Sequence, residues 1–237
     1  MNLTLPVSDG SKTMDIAPGK IVCLGLNYDA HIQESLSVKV RGFDPERPAE
    51  PVLFNKLPSS IIGPDEQILL PSILQSYGFE EPRTDHEAEL AVIIGKEGKQ
   101  IPVDRALEHI FGFTCANDIS QRNLQNGDRS GWFRGKSFDT FCPLGPRVVP
   151  AAELPGVEDL EVTCRVNGEL RQQGRTSQMI FSLAETIAFI SRNFTLEVGD
   201  IILTGTPSGV GPLADGDTVE VEIEGIGVLR NQVRAEG

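Results

Sequence analysis

The 237-residue sequence is poor in several residue types, and each shortage excludes a class of protein. Its four cysteines lie far apart and form no C-x-x-C pair, which excludes a cysteine zinc site. Each cysteine lies among apolar residues, as buried free thiols of a reducing compartment do. The 21 basic residues are outnumbered by 34 acidic ones, and the net charge of -13 argues against nucleic-acid binding.

Long apolar runs are scarce too. No stretch approaches the roughly 20 residues that span a bilayer. The N-terminal M-N-L-T-L-P-V-S-D-G has neither the basic start nor the long apolar centre of a signal peptide. We therefore expect a cytoplasmic protein without membrane contact.

Glycine and proline, in contrast, are plentiful and separate many short apolar runs. This pattern predicts a β-rich α+β fold, because strands and helices do not alternate regularly enough for a doubly wound sheet. Asn167-Gly168 predicts a hairpin turn between Leu160–Val166 and Glu169–Gln172. A second hairpin is predicted between Thr218–Ile223 and Val228–Val233.

Two segments have the spacing of amphipathic helices. One is Asp104–Phe111, with Asp104 as its N-cap, and the other is Met179–Asn193, preceded by Ser177. The polar stretch Asn27–Pro51 is long for a connection inside a compact domain. Such loops often act as lids or binding loops, and a plain surface excursion is the alternative.

Three acidic residues precede the apolar run L-A-V-I-I at a spacing of two: Asp85, Glu87 and Glu89. An extended chain places them on one face, where their repulsion requires solvent, raised pKa values, arginines or a cation. A fourth acid, Asp118, follows the apolar run F-T-C-A. Together these carboxylates form a hard oxygen ligand set for Mg²⁺, Mn²⁺ or Ca²⁺. A solvated strand edge is the alternative.

Two other segments add groups suited to catalysis. Lys136, within R-G-K-S-F-D, offers a positive charge for an anionic substrate, although most lysines simply lie at the surface. His31 and Glu34 are three residues apart and share one face of a helical turn. A glutamate beside an imidazole raises its basicity, as deprotonating a water requires, although such a pair is usually a surface ion pair.

Six motifs occur in order between about Lys20 and Val233: N-Y-x-x-H-x-x-E, K-x-P-S-S-x-I-G-P, D-x-E-x-E-L-A-V-x-I-G, N-D-I-S-x-R, G-K-S-F-D-T-F-C-P-L-G-P and D-I-I-L-T-G-T-P-S-G-V-G. In order and spacing the sequence resembles the fumarylacetoacetate hydrolase family. The resemblance is to its short single-domain branch, which includes acylpyruvate hydrolases and oxaloacetate decarboxylases.

The resemblance implies one catalytic domain over residues 1–237, a mixed β-sheet roll with a few flanking helices and a mobile lid at about 27–51. It also implies a homodimer. The implied metal is Mg²⁺ or Mn²⁺, with Ca²⁺ as an alternative, and its implied ligands are Glu87, Glu89 and Asp118.

The resemblance further assigns His31 and Glu34 as a general-base pair and Lys136 as an electrostatic catalyst. The glycine-rich loop of Gly205 and Thr206 would line the substrate site. Residues close behind Asp118 are further candidates for substrate contacts: Arg122 and Gln125.

The leading hypothesis is therefore a divalent-metal-dependent hydrolase that cleaves a C–C bond in a small 2-oxo acid of acylpyruvate or fumarylpyruvate type, through an enolate. Oxaloacetate decarboxylation and isomerisation of 2-hydroxyhepta-2,4-diene-1,7-dioate are alternatives at the same site. A non-catalytic binding protein on this scaffold, or an acidic β-rich module with a structural Ca²⁺, are the non-enzymatic alternatives.

Overall fold

The computed structural model describes residues 3–34, 47–129 and 131–237, and strands dominate its α+β fold. The strands are β1 (Leu3–Val7), β2 (Lys12–Ile16), β3 (Ile21–Gly25), β4 (Val52–Lys56), β5 (Ile61–Ile62), β6 (Gln67–Leu70), β7 (Thr84–His86), β8 (Ala88–Ile94), β9 (Ile110–Asn117), β10 (Ser120–Gln121), β11 (Cys142–Pro150), β12 (Glu161–Val166), β13 (Glu169–Arg175), β14 (Ile201–Leu203), β15 (Gly211–Pro212), β16 (Thr218–Ile223) and β17 (Gly227–Ala235).

Helices are short and lie between these strands. The α-helices are α1 (Asp29–Glu34), α2 (Arg122–Gly127), α3 (Phe133–Lys136) and α4 (Leu183–Asn193). Single 3₁₀ segments cover Pro58–Ser60, Ser72–Tyr77, Val103–His109, Ala151–Glu153, Val157–Asp159 and Thr176–Gln178. Among the described residues, none of the helices combines the length and the apolar character that crossing a bilayer requires.

The largest sheet is mixed and runs in the order β2-β1-β11-β9-β8-β14-β3-β4, with β5 paired to β11. A second sheet has the order β13-β12-β16-β17-β6, and a small third one joins β10, β7 and β15. Strand β8 is buried on both faces. Leu90 and Val92 pack in a cluster with Val162 of the second sheet, whereas Ala91 and Ile93 belong to a separate cluster. Burial on both faces explains why β8 is apolar throughout its second half.

Both predicted hairpins are confirmed. Strands β12 and β13 pair antiparallel around Asn167 and Gly168, whose φ angles of 53° and 81° are those of the twisted turn that Asn-Gly favours. Strands β16 and β17 form the second hairpin. All four cysteines are free and buried, as predicted.

The predicted helix Met179–Asn193 is wrong at its start. Helix α4 begins at Leu183, because Ser182 and Glu185 form a capping box that fixes its first turn. The residues before it are held extended by Asn27, whose backbone oxygen accepts from the Ile180 N–H at 2.9 Å.

The predicted helix Asp104–Phe111 is also wrong. Residues Val103–His109 form 3₁₀ turns, and Asp104 does not cap them because the N-cap position is Pro102. Ile110 and the residues after it extend into β9, since pairing with β8 satisfies their backbone there. Of the predicted lid at about 27–51, residues 35–46 lie outside the described residues.

Candidate metal centre and active site

The three predicted ligands meet where the chain passes from one sheet to another. Strand β7 pairs in the small sheet and β8 in the large one, so Glu87 lies at the junction between them. Its N–H donates to Oδ1 of Asn117 at 2.9 Å. Asp118 follows β9, the antiparallel neighbour of β8, and its N–H donates to the Glu87 carbonyl at 2.8 Å. Strand pairing therefore brings Asp118 beside Glu87.

Glu87, Glu89 and Asp118 form a compact, buried trio. One carboxylate oxygen from each lies within 4.8 Å of the others. The residues are 4%, 1% and 0% exposed, so the solvated strand edge is wrong. Like charges at this depth require compensation, and among the described residues lysines and arginines form ion pairs with Glu87 and Asp118 but not with Glu89.

Lys136 pairs with two members of the trio. Its ammonium lies 2.7 Å from Oε2 of Glu87 and 2.6 Å from Oδ2 of Asp118. Burial lowers the pKa of Lys136, but these two carboxylates outweigh burial and hold the pKa above its ordinary value. The ammonium also lies 4.9 Å from the ring centre of Phe54, a cation–π contact.

Glu89 is the least compensated of the three. It forms no ion pair with any described residue, and its Oε2 accepts the Gly205 N–H at 2.6 Å. Burial and the charges of Asp118 and Glu87 raise the pKa of Glu89 well above its ordinary value. A hard divalent cation beside three buried carboxylates would give Glu89 the positive partner that it lacks among the described residues, so these residues fit Mg²⁺ or Mn²⁺.

Asp85 lies beside the trio and pairs with arginines. Its oxygens accept from Arg83 at 2.7 Å and from Arg122 at 2.8 Å. Arg122 also reaches Oε1 of Glu87 at 2.6 Å. Burial raises the pKa of Glu87, but Lys136 and Arg122 outweigh burial and hold that pKa below its ordinary value. Arg122 therefore links Asp85 to the trio.

The predicted general-base pair, His31 with Glu34, forms within α1. Nδ1 of His31 lies 3.1 Å from Oε1 of Glu34. That carboxylate also accepts the N–H of Gly209, at 2.9 and 3.0 Å, and of Val210 at 3.4 Å. Burial raises the pKa of Glu34, but the hydrogen bonds from His31 and Gly209 outweigh it and hold the pKa below its ordinary value. Glu34 therefore stays ionised beside the imidazole.

His31, Glu87 and Glu89 face one small cavity, which Asp118 does not line. Its space is about 20 Å³, comparable to that of one ordered water. The remaining lining includes both apolar and polar residues: Leu24, Gly25, Leu26, Phe54 and Trp132, together with Arg122, Gln125, Lys136 and Thr206.

Three of the residues predicted to bind substrate, Arg122, Gln125 and Thr206, line this cavity. Gly205 does not line it, and all four residues already have protein partners. Arg122 donates to Oε1 of Gln125 at 2.8 Å. The Thr206 hydroxyl donates to the Ala88 carbonyl at 2.9 Å, and the Gly205 N–H is used by Glu89. Their contacts with a substrate stay predictions.

Lys56 is a charged residue of the site that was not predicted from the sequence. It ends β4, is 1% exposed, and its ammonium lies 2.5 Å from Oδ1 of Asp118 and 3.1 Å from the Ile119 carbonyl. The available signal was a lysine directly after the apolar strand V-L-F-N. A lysine at a strand end usually faces solvent, so the pattern alone did not distinguish it.

The profile of the family described as Fumarylacetoacetate (FAA) hydrolase C-terminal matches residues 20–234. The chain belongs to the fumarylacetoacetate hydrolase family. It is 45% identical to the mitochondrial oxaloacetate tautomerase FAHD2B of Bos taurus, over 97% of this chain and 72% of that protein.

Solved structures of this family have the same fold. Fumarylpyruvate hydrolase from Pseudomonas aeruginosa, in complex with Mn²⁺ and pyruvate, is 32% identical with a TM-score of 0.84, over 99% of this chain and 97% of that one. The 2-hydroxyhepta-2,4-diene-1,7-dioate isomerase of Mycobacterium marinum is 38% identical with a TM-score of 0.79, over 96% and 80%. The resemblance drawn from six motifs is thus confirmed. The relatives are a tautomerase, a hydrolase and an isomerase, so membership of this enzyme family leaves the reaction open.

Proposed function

We propose that the protein is a divalent-metal-dependent enzyme that acts on a small 2-oxo acid through its enol form, with keto–enol interconversion of oxaloacetate as its reaction. The observation that carries the proposal is that His31, paired with Glu34, faces the same cavity as Glu87 and Glu89. A base and a cation site on one cavity are what enolisation requires. The 45% identity to an oxaloacetate tautomerase supports this choice of substrate.

Charge balance in the site favours a dicarboxylate. Four buried acids, the trio and Asp85, are matched by four cations: Lys56, Lys136, Arg122 and Arg83. A divalent ion held by Glu87, Glu89 and Asp118 would make this lining positive and would stabilise the negative charge of an enolate. We infer that the substrate carries at least two negative charges.

His31 supplies the proton transfer. In the keto-to-enol direction the imidazole takes a proton from the carbon beside the 2-oxo group and returns it to the oxygen of that group, so one proton moves from carbon to oxygen. Glu34, fixed by the Gly209 amide, stabilises the charged imidazole that forms. The reverse reaction moves that proton from oxygen back to carbon, so no water is consumed.

Hydrolysis of an acylpyruvate is the second candidate, favoured by the likeness to fumarylpyruvate hydrolase. There His31 would take a proton from water, whose oxygen attacks the distal carbonyl. The C–C bond breaks, and its electron pair passes to the pyruvate enolate. The products are pyruvate and a carboxylic acid. Decarboxylation of oxaloacetate would give the same enolate without activated water.

The test compares three substrates with Mg²⁺ or Mn²⁺. Enol oxaloacetate is followed by its absorbance, and oxaloacetate and acetylpyruvate are followed by release of pyruvate. Enzyme-dependent acceleration of enol loss without release of pyruvate supports the tautomerase. If this acceleration disappears in His31→Ala, His31 is the base. Release of pyruvate from acetylpyruvate supports the hydrolase instead. The control is His109→Gln, because His109 bonds to the Lys96 carbonyl away from the site. If none of these substrates is converted with any divalent ion, the proposal that the protein is such an enzyme is contradicted.

A further inference from the structure

Gln172 of β13 is a fully buried amide whose four hydrogen bonds end at residues in or next to the candidate active site. Its Oε1 accepts from the Ala88 N–H at 3.0 Å and lies 2.9 Å from Nδ1 of His86. Its Nε2 donates to Oγ1 of Thr206 at 2.7 Å and to the Pro207 carbonyl at 2.8 Å. Two donors and two acceptor positions are all that a glutamine amide has, so its orientation is fixed.

The contacts with Ala88 and Thr206 involve the peptide groups that join two predicted ligands. Ala88 lies between Glu87 and Glu89 in the chain. Its N–H donates to Gln172, and its carbonyl accepts from the Thr206 hydroxyl, which itself accepts from Gln172. Both peptide planes between the two glutamates are therefore held by one connected pair of side chains. We call Gln172 and Thr206 the Ala88 clamp.

The last contact reaches the loop that orients the base. Pro207 opens the turn whose Gly209 amide binds Glu34. This turn packs on β13 so closely that a Cβ at Gly209, where φ is +97°, would overlap the Arg171 carbonyl. One strand residue thus supports both the ligand strand and the loop behind Glu34.

We propose that Gln172 is a positioning residue that fixes Glu87 and Glu89 for the divalent ion and holds the Glu34 loop in register with them. The inference about metal binding depends only on the carboxylate trio, and the inference about the Glu34 loop rests on the proposed function. If Gln172 only filled space in the core, a side chain of similar shape could replace it, whereas the positioning role requires its hydrogen bonds. Methionine has nearly the same volume and offers no comparable donor or acceptor, so Gln172→Met separates the two.

The test is a Mn²⁺ titration of the metal-free protein, with free Mn²⁺ measured by electron paramagnetic resonance. We expect Gln172→Met to weaken Mn²⁺ binding roughly tenfold, as loss of outer contacts to ligands does. Gln173→Met is the matched control, because Gln173 is the next residue of β13 and is exposed. It should bind Mn²⁺ like the wild type.

Thr206→Val provides a second variant should Gln172→Met fail to fold. It removes the other half of the Ala88 clamp, and we expect weaker Mn²⁺ binding in the same direction. The double variant should lose little more than the worse single variant, because the two side chains act as one unit. Folded variants that bind Mn²⁺ as tightly as the wild type would overturn the proposal, as would fully additive losses.

Activity measurements keep the two hypotheses apart. If the wild type converts a 2-oxo acid, kcat of Gln172→Met should stay below that of the wild type even at saturating Mn²⁺. The reason is that the loop behind Glu34 has lost its hydrogen bond from Gln172. Restoration of full kcat at saturating Mn²⁺ would overturn the inference about the Glu34 loop. If the wild type converts none of the substrates, the proposed function fails, while the Mn²⁺ titration still decides the role of Gln172 at the metal site.

Discussion

The ammonium of Lys56 lies 2.5 Å from Oδ1 of Asp118, and both side chains are fully buried. The other carboxylate oxygen, Oδ2, is 2.6 Å from Lys136. Asp118 is thus held between two lysines, and a cation bound there competes with both.

Removing Lys56 should lower the stability of the metal-free protein and strengthen metal binding. Without metal, we expect Lys56→Met to lower the free energy of unfolding by about 3 kcal/mol, because a buried carboxylate loses a partner. Mn²⁺ should then raise the melting temperature more than in the wild type, since one competing charge is gone. Thermal unfolding with and without Mn²⁺ measures both effects. The control is Lys12→Met at the exposed start of β2, and an unchanged Mn²⁺ response in Lys56→Met would contradict the prediction.

Glu89 should destabilise the metal-free protein as pH rises. Its pKa in the folded protein lies well above the ordinary 4.5, because burial, Asp118 and Glu87 disfavour its charge. The folded state therefore binds this proton more tightly, so the stability from Glu89 is complete below about pH 4.5 and is lost progressively as the pH rises from there through the raised pKa of the folded protein.

Glu89→Gln keeps an acceptor for the Gly205 amide and removes the charge. We expect the metal-free variant to melt at a higher temperature than the wild type at pH 7, with a gap that narrows as pH falls. Mn²⁺ should no longer raise its melting temperature. Glu80→Gln, at an exposed position, is the control. A gap that widens towards acid would refute the sign.

Asp85 and Glu87 should differ in their effect on metal binding. Asp85→Asn weakens the pairing of Arg83 and Arg122, so we expect a lower melting temperature with Mn²⁺ binding retained. Glu87→Gln removes a predicted ligand, and Mn²⁺ binding should be lost. Mn²⁺ titration of both variants decides the assignment. The opposite pattern would place the ligand set two residues earlier in the chain.

Gly25 should be required by the cavity wall. A Cβ there would overlap the Trp132 ring, with Cη2 only 2.8 Å away. We expect Gly25→Ala to destabilise the fold by roughly 1–3 kcal/mol, as overpacking does. Trp132 is the single tryptophan of the sequence, so its emission reports the displacement directly.

Gly127→Ala at the end of α2 is the control, since a Cβ there meets no atom within 4 Å. It should leave both stability and emission unchanged. Unchanged Trp132 emission in Gly25→Ala would show that the wall tolerates a methyl group.

Local chemistry made part of the fold predictable. The Asn167-Gly168 turn depends only on the dihedral preferences of those two residues. Strands β16 and β17 are close in sequence, so their pairing is local too, and both hairpins could be predicted. Helix α4 was predicted but begins later than expected, because Asn27 binds the residues before it and is distant in sequence. The strand pairing that ends the 3₁₀ turns at Ile110 is equally non-local.

By itself, the sequence determined the candidate acids, the base pair and the family, because ordered motifs record residue types and spacing. Tertiary structure decided what those charges face. Two-residue spacing could not distinguish a solvated edge from a buried trio, since burial of Glu87, Glu89 and Asp118 depends on residues distant in sequence that pack against them, such as Lys56 and Lys136. Lys56 and Gln172 became recognisable only when folding placed them at Asp118 and Ala88, 62 and 84 residues away. Electrostatic compensation acts through space, and the linear pattern does not contain those distances.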